Sequence, residues 1–403
     1  MRIFSVFFHP SSSFTGVGGA EKRFLKVLKV WCDEKVNVTV VDPDPASLLK
    51  ESINCEIVKL TSRLHASRKG LLSIYLEWIL WVIKACFVCP SLARRRSYDV
   101  VLAPNNTLPN LVVAYAAHIM TKRPLCVIVH HLDFPYLHTK ANLASTYRIY
   151  RKAQFGVLVA LIKSVSFLLI LNLLRRSNLC ITVSDYTANV LLNNGMSPNK
   201  VRVSGNGIDI DYINRFRPLR TGFEGVFVGR IARDKGVFDL VRIWHEVNID
   251  NPEYRLAIVG SGPDLPELES SVQRSGISGS ITLFGNCNDS KLYGLMKASK
   301  IFLFPSMFEG WGMAVGEALA CGLPVICYDI PALREIFGEC RSVFFVPIGD
   351  SERLAKVTKN FLRKNDFKSL TSTSKAFVKR FGWRKVALRD LQIISALLQG
   401  RFG

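Results

Sequence analysis

Two glutamates eight positions apart could do chemistry in the stretch FPSMFEGWGMAVGEALACGLPV, residues 304–325. The preceding apolar run predicts a strand, the glycines predict a loop whose backbone can approach a ligand, and a helix should begin near Met313. Unpaired amides and the positive dipole end of a helix start bind phosphate. Glu309 would lie beside whatever the phosphate carries, and Glu317 one turn inside the helix. The spacing suits a nucleotide sugar, but it also suits two surface glutamates near a helix start.

Cations stand upstream of this stretch. In VGRIARDKG, Arg230 ends a predicted strand and Lys235 follows five residues later. A guanidinium and an ammonium around one loop can neutralise a diphosphate, although exposed loop cations are often only solvated. In VGSGP (259–263), Gly260 and Gly262 would permit a close backbone approach, which on its own is a weak signal.

The pattern of strand, loop and helix that positions these residues begins twice. It starts at RIFSVFF and restarts after Pro218 with EGVFVGRIARDKG. The sequence therefore predicts two similar parallel-sheet α/β domains, divided near residue 215. Ligands of such folds bind at the carboxyl ends of the strands, so we expect the site in a cleft between the domains.

Composition and charge limit the function classes. The chain has 403 residues, 49% of them hydrophobic and 21% charged, which is typical of a globular protein with more than one domain. Residues 1–217 carry 28 Lys and Arg against 13 Asp and Glu, whereas residues 218–403 carry 25 against 19. The basic first half favours anionic partners such as lipid head groups, phosphorylated substrates or nucleic acid. The ten cysteines show no zinc or disulfide spacing, and MRIFSVFF is expected to be a first strand of an intracellular protein.

Two apolar runs, 71–89 and 155–174, depart from the soluble pattern. The second has twenty residues with Lys163 as its only charge, and basic residues flank it on both sides. It could be a buried helix, a helix on an anionic membrane surface or a membrane-spanning helix. A membrane-spanning helix is disfavoured because predicted strands of one domain precede and follow this run. A span would place these strands on opposite sides of the membrane. The basic flanks favour attachment to a membrane surface.

The motifs together resemble a known family. Arg230 and Lys235, IVGSGP, ITLFGN and the Glu309–Glu317 element resemble the donor half of retaining glycosyltransferases with two Rossmann-like domains (the GT-B type), a family that includes sucrose synthase-like and mannosyltransferase members. GVGGAEK resembles the glycine loop of their N-terminal domain, and FGWRKVA their closing helix. The resemblance implies an acceptor domain at 1–217, a nucleotide-sugar domain at 218–380, and a helix at 381–403 that packs back on the first domain.

The resemblance also implies roles for single residues. Glu309 would contact the sugar near its reacting carbon, Glu317 would bind the ribose hydroxyls, and Arg230 and Lys235 would bind the diphosphate. The full implied site adds phosphate contacts from the amides of Met313 and Ala314 and from Gly18 and Gly19, and a sugar contact from His130 or its neighbour His131. Gly260 and Gly262 complete it as donor-binding residues. A histidine after a strand is often structural, but a pair at a carboxyl end weakens that interpretation.

The implied reaction transfers a hexose to a hydroxyl with retention of configuration, without a metal or other cofactor. A donor phosphate oxygen would take the acceptor proton, so catalysis would depend on positioning and on stabilising the leaving group. We expect a lipid-linked or glycan acceptor and a cytoplasmic protein that is peripheral or monotopic on the membrane face, through 71–89 and 155–174. A soluble acceptor is the alternative. A nucleic-acid-binding protein would explain the charge but not the paired glutamates, and an inactive scaffold would not need all four charged residues.

Overall fold

The computed structural model describes residues 1–8, 18–44, 48–49, 51, 53–61, 71–132, 140–152, 156–364 and 368–401. The side chains of 71–78, 152 and 368 are not described. The chain forms two compact units. Unit 1 contains Met1–Ser12, Val17–Gly205 and Trp383–Gly403, and unit 2 contains Asn206–Gly382. The chain changes unit at Gly205, whereas the sequence analysis placed the domain boundary at residue 217.

Unit 1 contains a seven-stranded parallel sheet. Its strands are β1 (Arg2–Val6), β2 (Asn37–Asp42), β3 (Glu56–Lys59), β4 (Val100–Ala103), β5 (Leu125–Val129), β6 (Leu179–Thr182) and β7 (Val201–Val203). They lie in the order β3-β2-β1-β4-β5-β6-β7. The central strands are continuous apolar runs because helices cover both of their faces, so nearly every strand side chain is buried.

The helices of unit 1 connect the strands. They are α1 (Gly19–Asp33), α2 (Leu71–Arg95), α3 (Leu108–Thr121), α4 (Leu143–Lys152), α5 (Val157–Arg176) and α6 (Asp185–Asn193). One more helix, α15 (Trp383–Leu398), follows unit 2 in the chain. One core joins a face of the sheet to α2, α3, α5 and α6, with Trp81, Phe167 and Leu171 among its buried residues. The predicted closing helix is confirmed, because α15 packs on α1.

Unit 2 contains a six-stranded parallel sheet. Its strands are β8 (Phe223–Val228), β9 (Leu256–Val259), β10 (Ile281–Gly285), β11 (Ser299–Phe304), β12 (Val325–Tyr328) and β13 (Val343–Val346), in the order β10-β9-β8-β11-β12-β13. Its helices are α7 (Ile210–Asn214), α8 (Val237–Asp250), α9 (Leu265–Arg274), α10 (Asp289–Ala298), α11 (Met313–Ala320), α12 (Pro331–Phe337), α13 (Ser351–Lys364) and α14 (Lys368–Val378). The predicted fold class, two parallel-sheet α/β domains, is confirmed.

The sequence analysis missed two strands, β3 and β13. Both have four residues and lie at an edge of their sheets. The side chains of β3 are partly buried or exposed, whereas Val343 and Val346 of β13 are buried. The sequence of β3, EIVK, has a charged residue at each end and lacks the apolar run that marked the central strands, whereas β13, VFFV, is as apolar as they are.

Candidate functional site

The predicted donor residues of unit 2 lie in loops that follow three adjacent strands. Residues 229–236 follow β8, 260–264 follow β9 and 305–312 follow β11. Because β9, β8 and β11 are parallel neighbours, the three loops emerge at the same carboxyl edge of the sheet. Residues far apart in the chain are thereby brought together.

Glycines allow these loops to touch backbone to backbone. A Cβ on Gly260 would lie 1.9 Å from the oxygen of Gly229, and one on Gly262 would lie 2.2 Å from the oxygen of Ile231. The space beside both glycines is thus taken by the loop that carries Arg230. Gly236, which the sequence analysis did not select, has φ +68°, and a Cβ there would lie 1.9 Å from the oxygen of Pro305. The glycines therefore hold the loops in place, and a donor contact by Gly260 or Gly262 stays a prediction.

Lys235 and Glu309 form an ion pair across two of the loops. The Lys235 Nζ lies 2.7 Å from Glu309 Oε1, and the two side chains are 18% and 14% exposed. The hydroxyl of Ser306, which is fully buried, lies 3.0 Å from the same oxygen. In the described part of the chain, Oε2 of Glu309 receives no hydrogen bond. This carboxylate is therefore held by one oxygen and has the other available for the hydroxyls of a ligand.

Arg230 pairs with a carboxylate of its own loop. Its guanidinium donates to Asp234 Oδ2 at 2.8 Å, and the same carboxylate oxygen lies 4.0 Å from the Lys235 Nζ. The backbone oxygen of Asp234 accepts a hydrogen bond from Met307 at 2.8 Å. Asp234 and Ser306 are site residues that sequence reasoning missed. The acid beside the lysine in RDKG, and the serine directly after the strand in FPS, were the available signals.

Helix α11 begins at Met313, as predicted. Its N-cap, Gly312, has φ +87° and no side chain to cap the helix, and a Cβ there would lie 2.3 Å from Leu333. The first intrahelical hydrogen bonds of α11 are donated by the amides of residues 315 and 316 to the Gly312 oxygen. Among the described residues, the amides of Met313 and Ala314 therefore have no acceptor. These amides can bind an anion. Glu317 lies one turn into α11 and is 8% exposed.

In unit 1, Gly18 and Gly19 lie at the start of α1. Gly18 is the N-cap, without a side-chain hydrogen bond to the helix. The residues of the predicted glycine loop before Gly18 lie outside the described residues. A Cβ on Gly18 would lie 2.3 Å from Glu21 Oε2, so this position leaves little space for a side chain unless Glu21 moves.

The two histidines follow β5 at the carboxyl edge of the other sheet. The amide side chain of Asn106 brackets them, accepting from the His130 amide at 3.1 Å and donating to the His131 oxygen at 2.7 Å. His130 Nε2 lies 3.0 Å from the Pro104 oxygen. Burial, together with the positive charge of Arg23, lowers the pKa of His130 to about 3. The ring is therefore neutral near pH 7, and since Nε2 must donate to the carbonyl, Nδ1 is left as an acceptor.

Arg23 itself is buried among polar partners. It lies 2.9 Å from an oxygen of Asp390 on α15 and donates to Ser204 Oγ at 3.3 Å and to the Gly205 oxygen at 3.2 Å. It thus connects α1 both to the closing helix and to the point where the chain leaves unit 1. Within the described ranges, no group of three or more His, Cys, Asp or Glu side chains is arranged to share a metal ion.

Helices α2 and α5 of unit 1 each expose apolar side chains. We call these exposed side chains together the apolar face, namely Ile79, Leu80, Ile83, Phe87, Val157, Leu158, Val159, Leu161, Ile162, Val165 and Leu169. Helix α5 is the one helix in the described ranges that is long and apolar enough to cross a membrane, with 20 residues and a mean hydropathy of 2.4, and 28% of its most apolar window is buried. One stripe of α5 therefore packs on the core of unit 1, and the rest of the helix is exposed.

Comparison with known proteins identifies the family. Residues 17–212 match the model described as Glycosyltransferase Family 4, and residues 219–379 match Glycosyl transferases group 1. The chain is 27% identical over 198 residues to a GDP-mannose:cellobiosyl-diphosphopolyprenol alpha-mannosyltransferase of Xanthomonas oryzae, covering 48% of this chain and 52% of that protein. It is 26% identical over 266 residues to an alpha-maltose-1-phosphate synthase of Mycobacterium tuberculosis, covering 60% and 65%. The chain thus spans about half the length of the first of these relatives.

Solved structures share the fold over the whole chain. HepE of Anabaena in complex with UDP-glucose has a TM-score of 0.73 at 19% identity, covering 98% of this chain and 100% of that one. A sucrose-phosphate synthase of Thermosynechococcus elongatus has a TM-score of 0.76 at 17% identity, covering 99% of both chains. The fold is the GT-B fold of these glycosyltransferases. The chain therefore consists of a Glycosyltransferase Family 4 domain followed by a Glycosyl transferases group 1 domain, and the two matches together identify it as a glycosyltransferase.

Proposed function

We propose that the protein transfers a hexose from a nucleotide diphosphate sugar to a hydroxyl acceptor, with retention of configuration. One observation carries this proposal: the Lys235–Glu309 ion pair lies in the same loop cluster as Arg230 and the unpaired amides of α11. Cations and amides suit a diphosphate, and a carboxylate with one available oxygen suits sugar hydroxyls.

The roles follow from these contacts. The diphosphate would be held by Arg230, Lys235 and the amides of Met313 and Ala314. These groups would also stabilise its negative charge as it leaves. Glu309 would orient the sugar through Oε2, and Glu317 would bind the ribose. Because these cations already offset the developing charge, we expect turnover that added EDTA does not change.

The remaining predicted residues come from both units. In unit 1, Gly18 and Gly19 would approach the diphosphate through their backbone. In unit 2, Gly260 and Gly262 would permit a close backbone approach to the donor. His130 would accept a hydrogen bond from a sugar hydroxyl at Nδ1, with His131 as the alternative. A phosphate oxygen of the donor would take the acceptor proton, so the protein would supply no separate base.

A binding screen tests the donor site. HepE was solved with UDP-glucose, and the mannosyltransferase relative is named for GDP-mannose, so UDP, GDP, ADP and their hexose derivatives should all be titrated without added metal. A ligand at one hundred times its Kd should stabilise the fold by about 2.7 kcal/mol. Arg230→Ala should abolish this shift.

The control for this variant is Arg380→Ala. Arg380 has the same 51% exposure as Arg230 and also pairs with a carboxylate, Glu339 at 3.0 Å. Its removal should leave the ligand-induced shift unchanged. If no nucleotide shifts the unfolding temperature of the wild-type protein, or if both variants respond alike, the proposed donor site is wrong.

We further propose that the acceptor is lipid-linked and that unit 1 lies on the cytoplasmic membrane surface through the apolar face. Val157, Leu158 and Ile162 are 61%, 68% and 56% exposed. Exposed arginines flank these residues in the chain. They are Arg148 and Arg151 on α4 and Arg175 and Arg176 at the end of α5. Exposed apolar side chains with basic neighbours bind anionic bilayers. A spanning orientation is disfavoured because it would remove Phe167, Leu171 and Leu174 from the core of unit 1.

Vesicle flotation tests this surface. The wild-type chain should float with vesicles that contain phosphatidylglycerol, and the double variant Leu158→Glu, Ile162→Glu should stay in solution. Ile249→Glu is the control, because Ile249 is 61% exposed on α8 of unit 2, outside the apolar face. Equal flotation of the wild type and the double variant would exclude this surface and favour the soluble-acceptor alternative.

A further inference from the structure

The two cations of the proposed donor site share one acidic neighbour. Asp234 Oδ2 accepts a hydrogen bond from Arg230 at 2.8 Å and lies 4.0 Å from the Lys235 Nζ. The Arg230 side chain is 51% exposed and the Asp234 side chain is 27% exposed. The carboxylate is therefore placed where it interacts with the same positive charges that a diphosphate needs.

The backbone of Asp234 is held in place on both sides. Its oxygen accepts from the Met307 amide at 2.8 Å, and Gly236 packs against the Pro305 oxygen. The peptide from Asp234 to Gly236 is thus attached to the loop that carries Glu309. Movement of this carboxylate away from the two cations is limited to rotation of its own side chain.

We propose that Asp234 is an internal competitor of the donor diphosphate. This inference rests on the proposed function. An anion that binds Arg230 must share the guanidinium with Asp234 or displace it, and a carboxylate beside a phosphate repels it. Asp234 therefore weakens the binding of the nucleotide diphosphate, and because the nucleotide is also a product, it accelerates product release.

A supporting role for Asp234 in donor binding would change the nucleotide Kd in the opposite direction. If Asp234 served mainly to orient Arg230 toward the phosphate, its removal would free the guanidinium and weaken nucleotide binding. A purely structural role would leave the Kd unchanged once the protein is folded. The direction of the change in Kd therefore separates the three possibilities.

Titration calorimetry of the full chain tests the proposal. The wild type and Asp234→Asn are titrated with UDP, GDP and ADP at about 50 mM and about 500 mM salt. For the nucleotide that binds the wild type, Asp234→Asn should lower the Kd by about two- to fivefold at low salt. The gain should shrink at high salt, because the interactions of partly exposed charges are screened. The matching nucleoside, which lacks phosphate, should show no difference between the proteins.

Asp250→Asn is the matched control. Asp250 also faces two cations, Lys359 at 3.1 Å and Arg363 at 3.3 Å, but it lies at the last residue of α8, outside the donor loops. Its substitution removes the same charge and should not change the Kd. An unchanged or raised Kd in Asp234→Asn, or an equal gain in Asp250→Asn, would overturn the proposal. A wild-type protein that binds none of the three nucleotides would instead refute the proposed function, and this inference with it.

Discussion

Ser306 and Lys235 hold the same oxygen of Glu309 and leave the other one available. The Ser306 hydroxyl has three acceptors in reach, Glu309 Oε1 at 3.0 Å, the Phe308 oxygen at 3.2 Å and the Asp234 oxygen at 3.4 Å, and the carboxylate is the nearest. Together with Lys235, this bond holds Oε1. The serine therefore helps to orient the Glu309 carboxylate.

We expect Ser306→Ala to lower kcat/KM for the donor by about tenfold, because a hydrogen bond to a charged group contributes about 1.5 kcal/mol or more. Ser342→Ala is the control. Ser342 is also fully buried, and its hydroxyl donates to the Leu370 oxygen at 2.9 Å. Both variants should lose similar stability in urea unfolding, and only Ser306→Ala should lose activity. Equal activity of the two variants would show that Ser306 has only a structural role.

At the scale of elements, the proposed donor site depends on contacts between loops. The loop after β8 touches the loops after β9 and β11 through positions that have no room for a Cβ. The helix start at Met313 likewise needs the positive φ of Gly312. These contacts place the cations and the amides of α11 in one cluster before any ligand arrives, which reduces the entropy cost of binding.

Gly236→Ala tests this arrangement. The added methyl would meet the Pro305 oxygen at 1.9 Å, at a residue with φ +68°. We expect a loss of about 2 kcal/mol or more in the free energy of unfolding, together with weaker nucleotide binding, because Lys235 must shift. Gly276→Ala is the control that separates backbone strain from the clash with the neighbouring loop. Gly276 has a similar φ of +74°, but open space surrounds it. This control should lose about 1 kcal/mol and bind normally. Equal losses in both variants would mean that the loop contact does not matter.

At the scale of the whole molecule, the chain returns to unit 1 through α15. The Arg23–Asp390 pair joins this helix to α1 and is almost completely buried, at 2% and 0% exposure. The Trp31 indole adds a hydrogen bond to the Ala387 oxygen at 2.9 Å. The last helix is therefore part of the first unit, although the whole of unit 2 separates them in sequence.

We expect Asp390→Asn to destabilise the protein by about 3–5 kcal/mol, because it leaves the Arg23 charge buried without its counterion. Glu34→Gln is the matched control. Glu34 follows α1 and pairs with Arg384 of the same closing helix at 2.6 Å, but this pair is exposed, at 33% and 68%. Its loss should cost less than about 1 kcal/mol. Denaturant unfolding monitored by circular dichroism measures both. A similar small cost for both variants would contradict this account of the buried pair.

The sequence by itself determined the alternation of strands and helices around the central strands, the restart of the pattern in unit 2 and the start of α11. These features depend on local patterns, such as the apolar runs of the central strands and the glycines before Met313. It also indicated Glu309, Glu317, Arg230 and Lys235 as charged residues near predicted strand ends and a helix start. Edge strand β3 did not follow from it, because its short sequence EIVK carries a charge at each end and contains no apolar run.

Only the tertiary structure decided how the charges are paired. Lys235 forms an ion pair with Glu309, 74 positions later in the chain, and Gly260 packs against the backbone oxygen of Gly229 in the loop after the neighbouring strand. The tertiary structure also showed that α5 packs on the core with one stripe and exposes the rest. Hydropathy averages over all sides of a helix, whereas burial depends on which sides the neighbouring elements cover. Contacts between distant segments arise from the parallel sheet, which gathers the carboxyl ends of separate strands at one edge.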